Sequence, residues 1–432
     1  MRACPALFIS APASHQGKTT VTAALARHHA RLGRRVRVFK TGPDFLDPMI
    51  LERASGSPVY SLHLWMVGVD ACRALLADAA RDADLILIEG VMGLFDGTPS
   101  SADLATAFGV PVLAVIGAHG MAQTFGALAF GLARYRPGLP FHGVLANRVA
   151  SARHAQMLGE AIPEGLRYCG HLSNADDIAL PDRHLGLTQA AEIADLDARL
   201  ERAADAIGKT ALSDLPPVVQ FEDQALPEAP LLLEGVHIAM ARDAAFSFVY
   251  PANVDLLRTM GARVSTFSPL ADEPVPDDAD ALYLPGGYPE LHAATLAHNA
   301  RTAASITAHV RRERPVVAEC GGMLYLLDSL QTIDGAQHAM LGLLPGDAAM
   351  QKRLARLAMQ RIDTAHGMAT GHTFHYSSMT TPIRPHLVAT HATTGAEGEA
   401  LYRHGPITAT YMHTYWPSNP AAAAALFRGE PL

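Results

Sequence analysis

The chain has 432 residues, of which 49% are hydrophobic and 18% charged, and its formal net charge is −8. This composition is typical of a compact globular protein of two or three domains and excludes a disordered chain. The negative balance argues against a broad surface for nucleic acid or an anionic membrane, so we expect neither as a partner.

The first 172 residues alternate short apolar segments with helical stretches. This alternation predicts a parallel sheet covered by helices on both faces. The apolar segments are ALFIS (6–10), RVRVFK (35–40), LILIEG (85–90), VPVLAVIG (110–117), FHGVLANRV (141–149) and LRYCGHL (166–172). The N-terminal MRACPALFISAPA resembles a signal peptide, but it contains proline and serine and runs directly into GKTT. We interpret it as the first strand, and we expect a cytoplasmic chain.

A phosphate-binding loop follows that strand. GKTT (17–20) opens an amphipathic helix, although Pro12 replaces the first glycine of GxxxxGK[ST]. Backbone N–H groups of such a loop bind phosphates, the lysine neutralises their charge and the hydroxyl reaches Mg²⁺. A chance GKT in a surface loop is the alternative. The sequence predicts an ATP site formed by Gly17, Lys18, Thr19 and Thr20.

Two acidic loops follow later strands of the first half. KTGPDFLDP (40–48) offers Asp44 and Asp47, and IEGVMGLFDG (88–97) offers Glu89 and Asp96. In doubly wound sheets, ligands bind outside the carboxyl ends of the strands, where these loops lie. Because carboxylates repel ATP, either a Mg²⁺ ion lies between these carboxylates and the phosphates, or the loops hold a second substrate. For Asp47 the alternative is a helix cap.

A proline-rich segment separates the two halves. After a helix-like stretch from about Thr188 to Gly208, residues 213–235 contain four prolines and several acidic residues. Apolar segments resume with VHIAMA (236–241), ARVSTFS (262–268), ALYLPGG (281–287) and PVVAEC (315–320), and residues 338–415 are strand-rich. We predict two α/β domains, 1–210 and 236–432, joined by a linker at 211–235.

The second half carries the residues of a thiol acyl-transfer site. VVAECGGMLYL (316–326) is typical of a strand, a sharp turn and a helix, where helix N–H groups lower the pKa of a thiol. Gly287 and Gly321 offer N–H groups for an oxyanion hole, and His413 offers a base. A small buried core residue is the alternative for Cys320. The four cysteines are widely spaced without a CxxC pair, which argues against a zinc ribbon and a disulfide framework.

These motifs, in this order, resemble the cobyrinic or hydrogenobyrinic acid a,c-diamide synthases of cobalamin biosynthesis. That family joins an ATPase domain of dethiobiotin-synthetase type to a class I glutamine amidotransferase domain. The resemblance covers essentially the whole chain. It rests on GKTT (17–20), GPDFLDPMI (42–50), LWM (64–66), IEGVMGLFDG (88–97), LPDRHLGL (180–187), LPGGYPE (284–290), AECGGMLYL (318–326), FHYS (374–377) and HTYWPSNP (413–420).

The resemblance implies a reaction and a set of partners. Cys320, assisted by His413, would release ammonia from glutamine, and the first domain would use ATP and Mg²⁺ to activate the a- and c-acetate carboxylates of a corrinoid tetracarboxylate precursor. Thr19, Glu89 and Asp47 would hold Mg²⁺, and Asn147 would contact adenine. A homodimer is left open. The positions associated with substrate binding and activation are Asp44, Phe45, Leu46, Asp47, Glu89 and Asp96.

Several positions depart from the family pattern, and three rivals stay open. Tyr415 stands where many amidotransferases have the triad glutamate, so Cys320 and His413 are expected to act as a dyad. The other departures are His15, Gln16, His63 and Thr373. The rivals are a cobyric acid synthase, an a,c-diamide synthase for a nickel or iron tetrapyrrole such as Ni-sirohydrochlorin, and a ParA-like regulatory ATPase with an inactive amidotransferase tail.

Overall fold

The computed structural model describes residues 1–180 and 189–432. The predicted motif LPDRHLGL (180–187) therefore lies outside the described residues except for Leu180. The chain divides into two compact units, Met1–Pro227 and Glu228–Leu432. The division falls within the segment 211–235 that the sequence analysis treats as a linker. In the part of the chain that is described, no helix has the length and apolarity needed to cross a bilayer.

The first unit is built on one eight-stranded sheet. Seven strands are parallel, in the order β3-β2-β4-β1-β5-β6-β7, and β8 pairs antiparallel with β1. This confirms the predicted parallel sheet. The strands are β1 (Arg2–Ser10), β2 (Val36–Thr41), β3 (Tyr60–Leu62), β4 (Leu85–Glu89), β5 (Val112–Gly117), β6 (Phe141–Val149), β7 (Tyr168–Ser173) and β8 (Val218–Phe221).

Helices connect the parallel strands of this unit. Leu7, Leu87 and Leu113 of the sheet form one core with Leu25 of α1 and Leu200 of α7. Because helices cover the sheet, its central strands are buried along their length, and β4 is fully apolar until Glu89. The helices are α1 (Lys18–Arg31), α2 (Leu46–Ser55), α3 (Val69–Asp82), α4 (Ser101–Phe108), α5 (Thr124–Arg134), α6 (Ala152–Glu160) and α7 (Leu196–Ile207).

The second unit contains a mixed sheet of ten strands, in the order β10-β9-β11-β12-β21-β20-β19-β16-β17-β22. The first five strands in this order, β10, β9, β11, β12 and β21, are parallel to one another. The remaining neighbouring pairs are antiparallel. These strands are β9 (His237–Ala241), β10 (Arg263–Phe267), β11 (Ala281–Leu284), β12 (Val316–Glu319), β16 (Arg356–Thr364), β17 (Gly367–His375), β19 (Leu387–His391), β20 (Glu397–His404), β21 (Ile407–Thr410) and β22 (His413–Tyr415).

A small sheet and five helices complete the second unit. The small sheet has the order β14-β13-β15-β18, with strands β13 (Ser329–Gln331), β14 (Gln337–Ala339), β15 (Asp347–Met350) and β18 (Ser377–Thr380). The helices are α8 (Pro251–Thr259), α9 (Ala293–His298), α10 (Ala300–Arg311), α11 (Gly321–Leu326) and α12 (Pro420–Arg428). One core cluster of this unit contains α11, another contains side chains of α8 and α12, and a third joins Ile362, Ala369, Ala389, Leu401 and Met412. The predicted α/β class and the strand-rich C-terminal part are confirmed.

The proline-rich segment contains a strand that the sequence analysis did not predict. Residues 218–221 form β8, whose register with β1 runs from Arg2 opposite Phe221 to Pro5 opposite Val218. The alternating burial of this strand, with Val219 and Phe221 inside, is typical of an edge strand that covers a core on one face. Part of the predicted linker therefore belongs to the first unit.

We predict that limited proteolysis cuts the intact chain between residues 222 and 232. This stretch is largely exposed and lies outside any helix or strand, whereas β8 is held by the ladder with β1. Mass spectrometry of the first N-terminal fragment should give an end after Glu222. Phe221→Ala should loosen β8 and move the cut upstream, while Val218→Ala, at an exposed position of the same strand, should not. A first cut within 211–221 of the unaltered chain would contradict the pairing.

Candidate functional site

Gly17 and Asn147 fix the phosphate loop of the first unit. Gly17 precedes α1 with φ of 90°, a conformation that glycine adopts without strain. A Cβ at this position would lie 2.2 Å from Asn147 Nδ2, which donates to the Gln16 carbonyl at 2.9 Å. Asn147 therefore contacts the loop directly, and the site requires glycine at position 17.

Lys18 links the phosphate loop to the second acidic loop. Its Nζ donates to the Met92 carbonyl at 2.7 Å and to the Ala13 carbonyl at 3.2 Å. Burial, and next the neighbouring charge of Lys40, lower the pKa of Lys18. The ammonium thus lies among backbone carbonyls at the start of α1, where an anion would be drawn to it.

Lys40 is a residue of this site that the sequence analysis missed. It lies on β2, its side chain is 3% exposed, and its Nζ lies 2.6 Å from Glu89 Oε1, 2.7 Å from Asp47 Oδ2 and 3.7 Å from Asp44 Oδ2. Although burial opposes the charge, Asp47 and Glu89 hold the pKa of Lys40 well above its usual value. The available signal was a lysine that ends an apolar strand directly before an acidic loop.

The two aspartates of the first acidic loop differ in environment. Burial, and next the charge of Asp47, raise the pKa of Asp44 to about 7. For Asp47, burial acts in the same upward direction, but Lys40 outweighs it and lowers the pKa to about 2. Asp44 Oδ1 accepts from the Leu46 N–H at 2.8 Å and from the Asp47 N–H at 3.3 Å, so Asp44 satisfies two N–H groups in the first turn of α2, whose N-cap is Phe45. The alternative of Asp47 as the helix cap is wrong, because Asp47 lies inside the first turn and pairs with Lys40.

Glu89 provides an oxygen suited to a cation. Its Oε1 accepts from Thr19 Oγ1 at 3.0 Å and from Lys40, while its buried Oε2 has no hydrogen-bond partner among the described residues. Asp47 shares the Lys40 ammonium with Glu89. A hydroxyl and carboxylate oxygens are the ligands that Mg²⁺ prefers, so Thr19, Glu89 and Asp47 fit this ion.

Most predicted nucleotide and substrate residues line one cleft of about 350 Å³. Phe45 and Asp96 are not among its lining residues. Phe45 precedes α2, and Asp96 Oδ2 accepts from the Gly93 N–H at 3.0 Å, which shapes the loop 88–97. The structure brings together, in the cleft, Gly17, Lys18, Thr19, Thr20, Lys40, Asp44, Leu46, Asp47, Glu89 and Asn147, and adds Arg148 and residues 172–175 and 178–180.

In the second unit, Cys320 occupies the turn between β12 and α11, as predicted. Its φ of 45° and ψ of −109° are strained for a residue with a side chain, and such strain clusters at functional turns. The Cys320 N–H donates to the Thr410 carbonyl at 2.8 Å. Position 322 requires glycine, because a Cβ there would lie 2.0 Å from the Leu284 carbonyl oxygen. Cys320 is buried, as the alternative of a core residue also expects, but the strained turn is not a feature of ordinary core positions.

His413 and Cys320 both lie against Gly286. A Cβ on Gly286 would lie 2.3 Å from His413 Cε1 and 3.4 Å from Cys320 Cβ. The predicted oxyanion glycines also meet here, since a Cβ on Gly321 would lie 3.0 Å from the nitrogen of Gly287. The structure therefore brings the predicted nucleophile, base and oxyanion glycines together.

Burial sets the protonation of this pair, and it corrects one expectation. Burial, and next the charge of Glu290, raise the pKa of the Cys320 thiol far above its usual value. Burial, and next His375, lower the pKa of His413 to about 3. The prediction of a lowered thiol pKa is wrong, because desolvation outweighs the hydrogen bond from the Gly321 N–H. The pair is therefore a neutral thiol and a neutral imidazole, and a neutral imidazole can accept a proton.

Aromatic side chains surround His413, and the sequence analysis did not anticipate them. Its ring stacks on His372 with centroids 5.1 Å apart and planes inclined by 21°. Tyr250 Oη lies 2.8 Å from His372 Nδ1. The signal was the pairing of β22 with β17, which sets His413 opposite His372 but cannot be read from local sequence.

Three of the departures from the family pattern, Gln16, His63 and Thr373, have hydrogen-bond partners nearby. Gln16 Oε1 accepts from the Gly117 N–H at 2.7 Å, and His15 lies in the cleft with φ of 60°. His63 Nδ1 accepts from the Met66 N–H at 3.1 Å. Thr373 Oγ1 donates to Glu399 Oε1 at 3.2 Å. Gln16, His63 and Thr373 therefore have hydrogen-bond partners within the fold, whereas His15 is exposed at the cleft.

Comparisons with known proteins identify the two domains and their relatives. Residues 7–187 match the CobQ/CobB/MinD/ParA nucleotide binding domain, and residues 237–421 match the CobB/CobQ-like glutamine amidotransferase domain. The chain is 59% identical to hydrogenobyrinate a,c-diamide synthase of Pseudomonas aeruginosa, over 98% of this chain and 97% of the relative. It is 58% identical to the enzyme of that name in Stutzerimonas stutzeri, over 99% of both chains. It is 53% identical to cobyrinate a,c-diamide synthase of Herminiimonas arsenicoxydans, over 98% of this chain and 97% of the relative.

We predict that Gly286→Ala displaces His413 and slows alkylation of Cys320 by iodoacetamide at least tenfold. The new Cβ would occupy space now filled by the imidazole, and misplacing a reacting group by about 1 Å can cost on the order of a hundredfold in rate. Gly131→Ala is the control, because nothing lies within 4 Å of a Cβ there. Unchanged alkylation in folded Gly286→Ala would contradict the close approach of Gly286 and His413.

Proposed function

The chain belongs to the family of hydrogenobyrinate and cobyrinate a,c-diamide synthases, and on that premise we propose that it amidates the a- and c-acetate carboxylates of a corrinoid precursor. Glutamine supplies the nitrogen and ATP drives the reaction. Two observations carry this proposal. Cys320, His413 and the oxyanion glycines lie close together in the second unit. The first unit separately contains a cleft lined by the phosphate loop.

The second unit releases ammonia in two steps. His413, which is neutral, takes the proton of Cys320, and the thiolate attacks the side-chain amide carbonyl of glutamine. The N–H groups of Gly287 and Gly321 stabilise the oxyanion that forms. The imidazolium returns its proton to the leaving ammonia, and water then hydrolyses the thioester to release glutamate.

The first unit activates a carboxylate with ATP. Lys18 lies where it can neutralise the transferring phosphoryl group, and Thr19, Glu89 and Asp47 would hold Mg²⁺. Bound there, Mg²⁺ would offset the charge that develops on the β- and γ-phosphates. The substrate carboxylate attacks the γ-phosphorus and ADP leaves. Ammonia then displaces phosphate from the acyl phosphate to give the amide.

Lys40 positions two carboxylates of this site. It holds the carboxylates of Asp47 and Glu89 at 2.7 and 2.6 Å and thereby keeps them at the end of the sheet, facing the cleft. Asp44, less acidic than Asp47, is the better placed of the two to contact an acidic substrate without repelling it. We assign Asp44 and Leu46 to the substrate, and Asn147 to the nucleotide side of the cleft. Phe45 and Asp96 act through the shapes of their loops.

Two rings compete as the substrate. The relatives at 59% and 58% identity carry the name of the hydrogenobyrinate enzyme, and the relative at 53% carries that of the cobyrinate enzyme. Turnover of each ring by the purified protein distinguishes them. The rival of a regulatory ATPase with an inactive tail is disfavoured, because Cys320 and His413 are both present and both lie against Gly286.

We predict that Cys320→Ser abolishes glutamine-dependent amidation but retains amidation with ammonium salts at raised pH. The thiol makes ammonia and takes no part in carboxylate activation. Mass spectrometry of the corrinoid product with each nitrogen source checks this. Cys72→Ser is the control, because Cys72 is a buried cysteine of α3 in the first unit. Loss of both activities in folded Cys320→Ser would contradict two separate sites.

We predict that Lys18→Ala reduces amidation with either nitrogen source by on the order of a hundredfold or more, because electrostatic stabilisation by one group is often worth about 3–4 kcal/mol. Glutaminase activity at Cys320 should persist. Release of ADP and of glutamate, measured separately, checks both statements. The exposed Lys209→Ala serves as the control. Normal ammonia-dependent turnover by Lys18→Ala would exclude the phosphate loop from the reaction.

A further inference from the structure

Two buried side chains that are not part of the proposed thiol site, Glu319 and Asn253, bond the N–H and the carbonyl of Thr414, the residue after His413. Glu319 Oε1 accepts from the Thr414 N–H at 3.0 Å, and Asn253 Nδ2 donates to the Thr414 carbonyl at 2.8 Å. Asn253 Oδ1 accepts in turn from the Trp416 N–H at 2.9 Å. Glu319 is 3% exposed and Asn253 is 1% exposed. The backbone that carries His413 is thus fixed from within the protein.

Glu319 connects two strands that are not neighbours. It ends β12 directly before Cys320, whereas His413 begins β22, which pairs with β17 at the far edge of the sheet. Its second oxygen accepts from Tyr283 Oη of β11 at 2.8 Å. One dipeptide, Glu319–Cys320, therefore carries both the thiol and the contact that holds the strand of the base.

The contact matters because Tyr415 occupies the sequence position of the triad acid. His372 stacks on the ring of His413, and stacking fixes the plane of a ring better than its position within that plane. A hydrogen bond to the neighbouring peptide fixes position as well. A buried carboxyl is unfavourable in itself, since burial raises the pKa of Glu319 to about 7. The two hydrogen bonds that Glu319 accepts, from Tyr283 Oη and the Thr414 N–H, offset this cost.

We propose that Glu319 is a positioning residue for His413: by accepting from the Thr414 N–H, it sets the distance between the imidazole and the Cys320 thiol. This inference rests on the proposed glutaminase activity. It makes the hydrogen bond, rather than the negative charge, the property that counts. Glutamine at position 319 keeps a carbonyl oxygen for the Thr414 N–H and an amide that can donate to the Tyr283 oxygen, whereas methionine has a similar length and offers neither.

The experiment compares Glu319→Gln with Glu319→Met in the full-length protein. We expect kcat for glutamine hydrolysis to fall on the order of a hundredfold in Glu319→Met, with KM for glutamine little changed, because a base displaced by about 1 Å loses roughly that much rate. The rate of Cys320 alkylation by iodoacetamide should fall with it. Glu319→Gln should stay within about threefold of the unaltered protein. Amidation with ammonium should be normal in both variants.

Controls separate this inference from stability and from the proposed function. Val317→Ala, on the same strand and buried in the core, should lower the unfolding temperature without changing kcat. Should Glu319→Met fail to fold, Asn253→Ser removes the contact with the Thr414 carbonyl and carries the same expectation. Wild-type kcat in Glu319→Met, or equal losses in Glu319→Gln and Glu319→Met, would overturn the inference. Absence of glutaminase activity in the unaltered protein would overturn the proposed function instead.

Discussion

The fold of both units depends on the pairing of polar groups that are buried where parallel strands end. In the first unit, the Lys40 ammonium is compensated by carboxylates of two loops, so the charge that burial would make unfavourable becomes the contact that joins those loops. In the second unit, Glu319 is compensated by a backbone N–H and a tyrosine hydroxyl. Neither group could stay buried without its partners, and the partners are the segments that carry the chemistry.

The two units differ in the protonation of the groups at their sites. The cleft of the first unit keeps Lys40 and Asp47 charged and places them near a site for phosphate, where opposite charges must be balanced at each step. The amidotransferase pair is kept neutral by burial, and charge appears there only when a substrate amide is attacked. A thiol that is neutral at rest is also protected from oxidation, because the thiolate is the reactive form.

Local sequence was sufficient for much of this structure. The apolar segments predicted the central strands of both sheets, and GKTT and the cysteine turn predicted the glycines that the backbone requires. Lys40 was missed because its role depends on two loops that are distant in sequence. His372 and Glu319 were missed because strand pairing and burial, not spacing, bring them to His413. The pKa of Cys320 was misjudged because desolvation depends on everything packed around the thiol.

The antiparallel pairing of β8 with β1 bears on how the chain is made. Pro5 and Val218 are partners in the ladder, so the N-terminal half of β1 leaves the ribosome long before its partner is synthesised. At roughly 5–20 residues per second, the wait is on the order of 10–40 s. During that time the N-terminal half of β1 offers unpaired backbone groups to any other extended segment. Translation speed across the first unit, and chaperones that cover such an edge, therefore influence the yield of the folded protein.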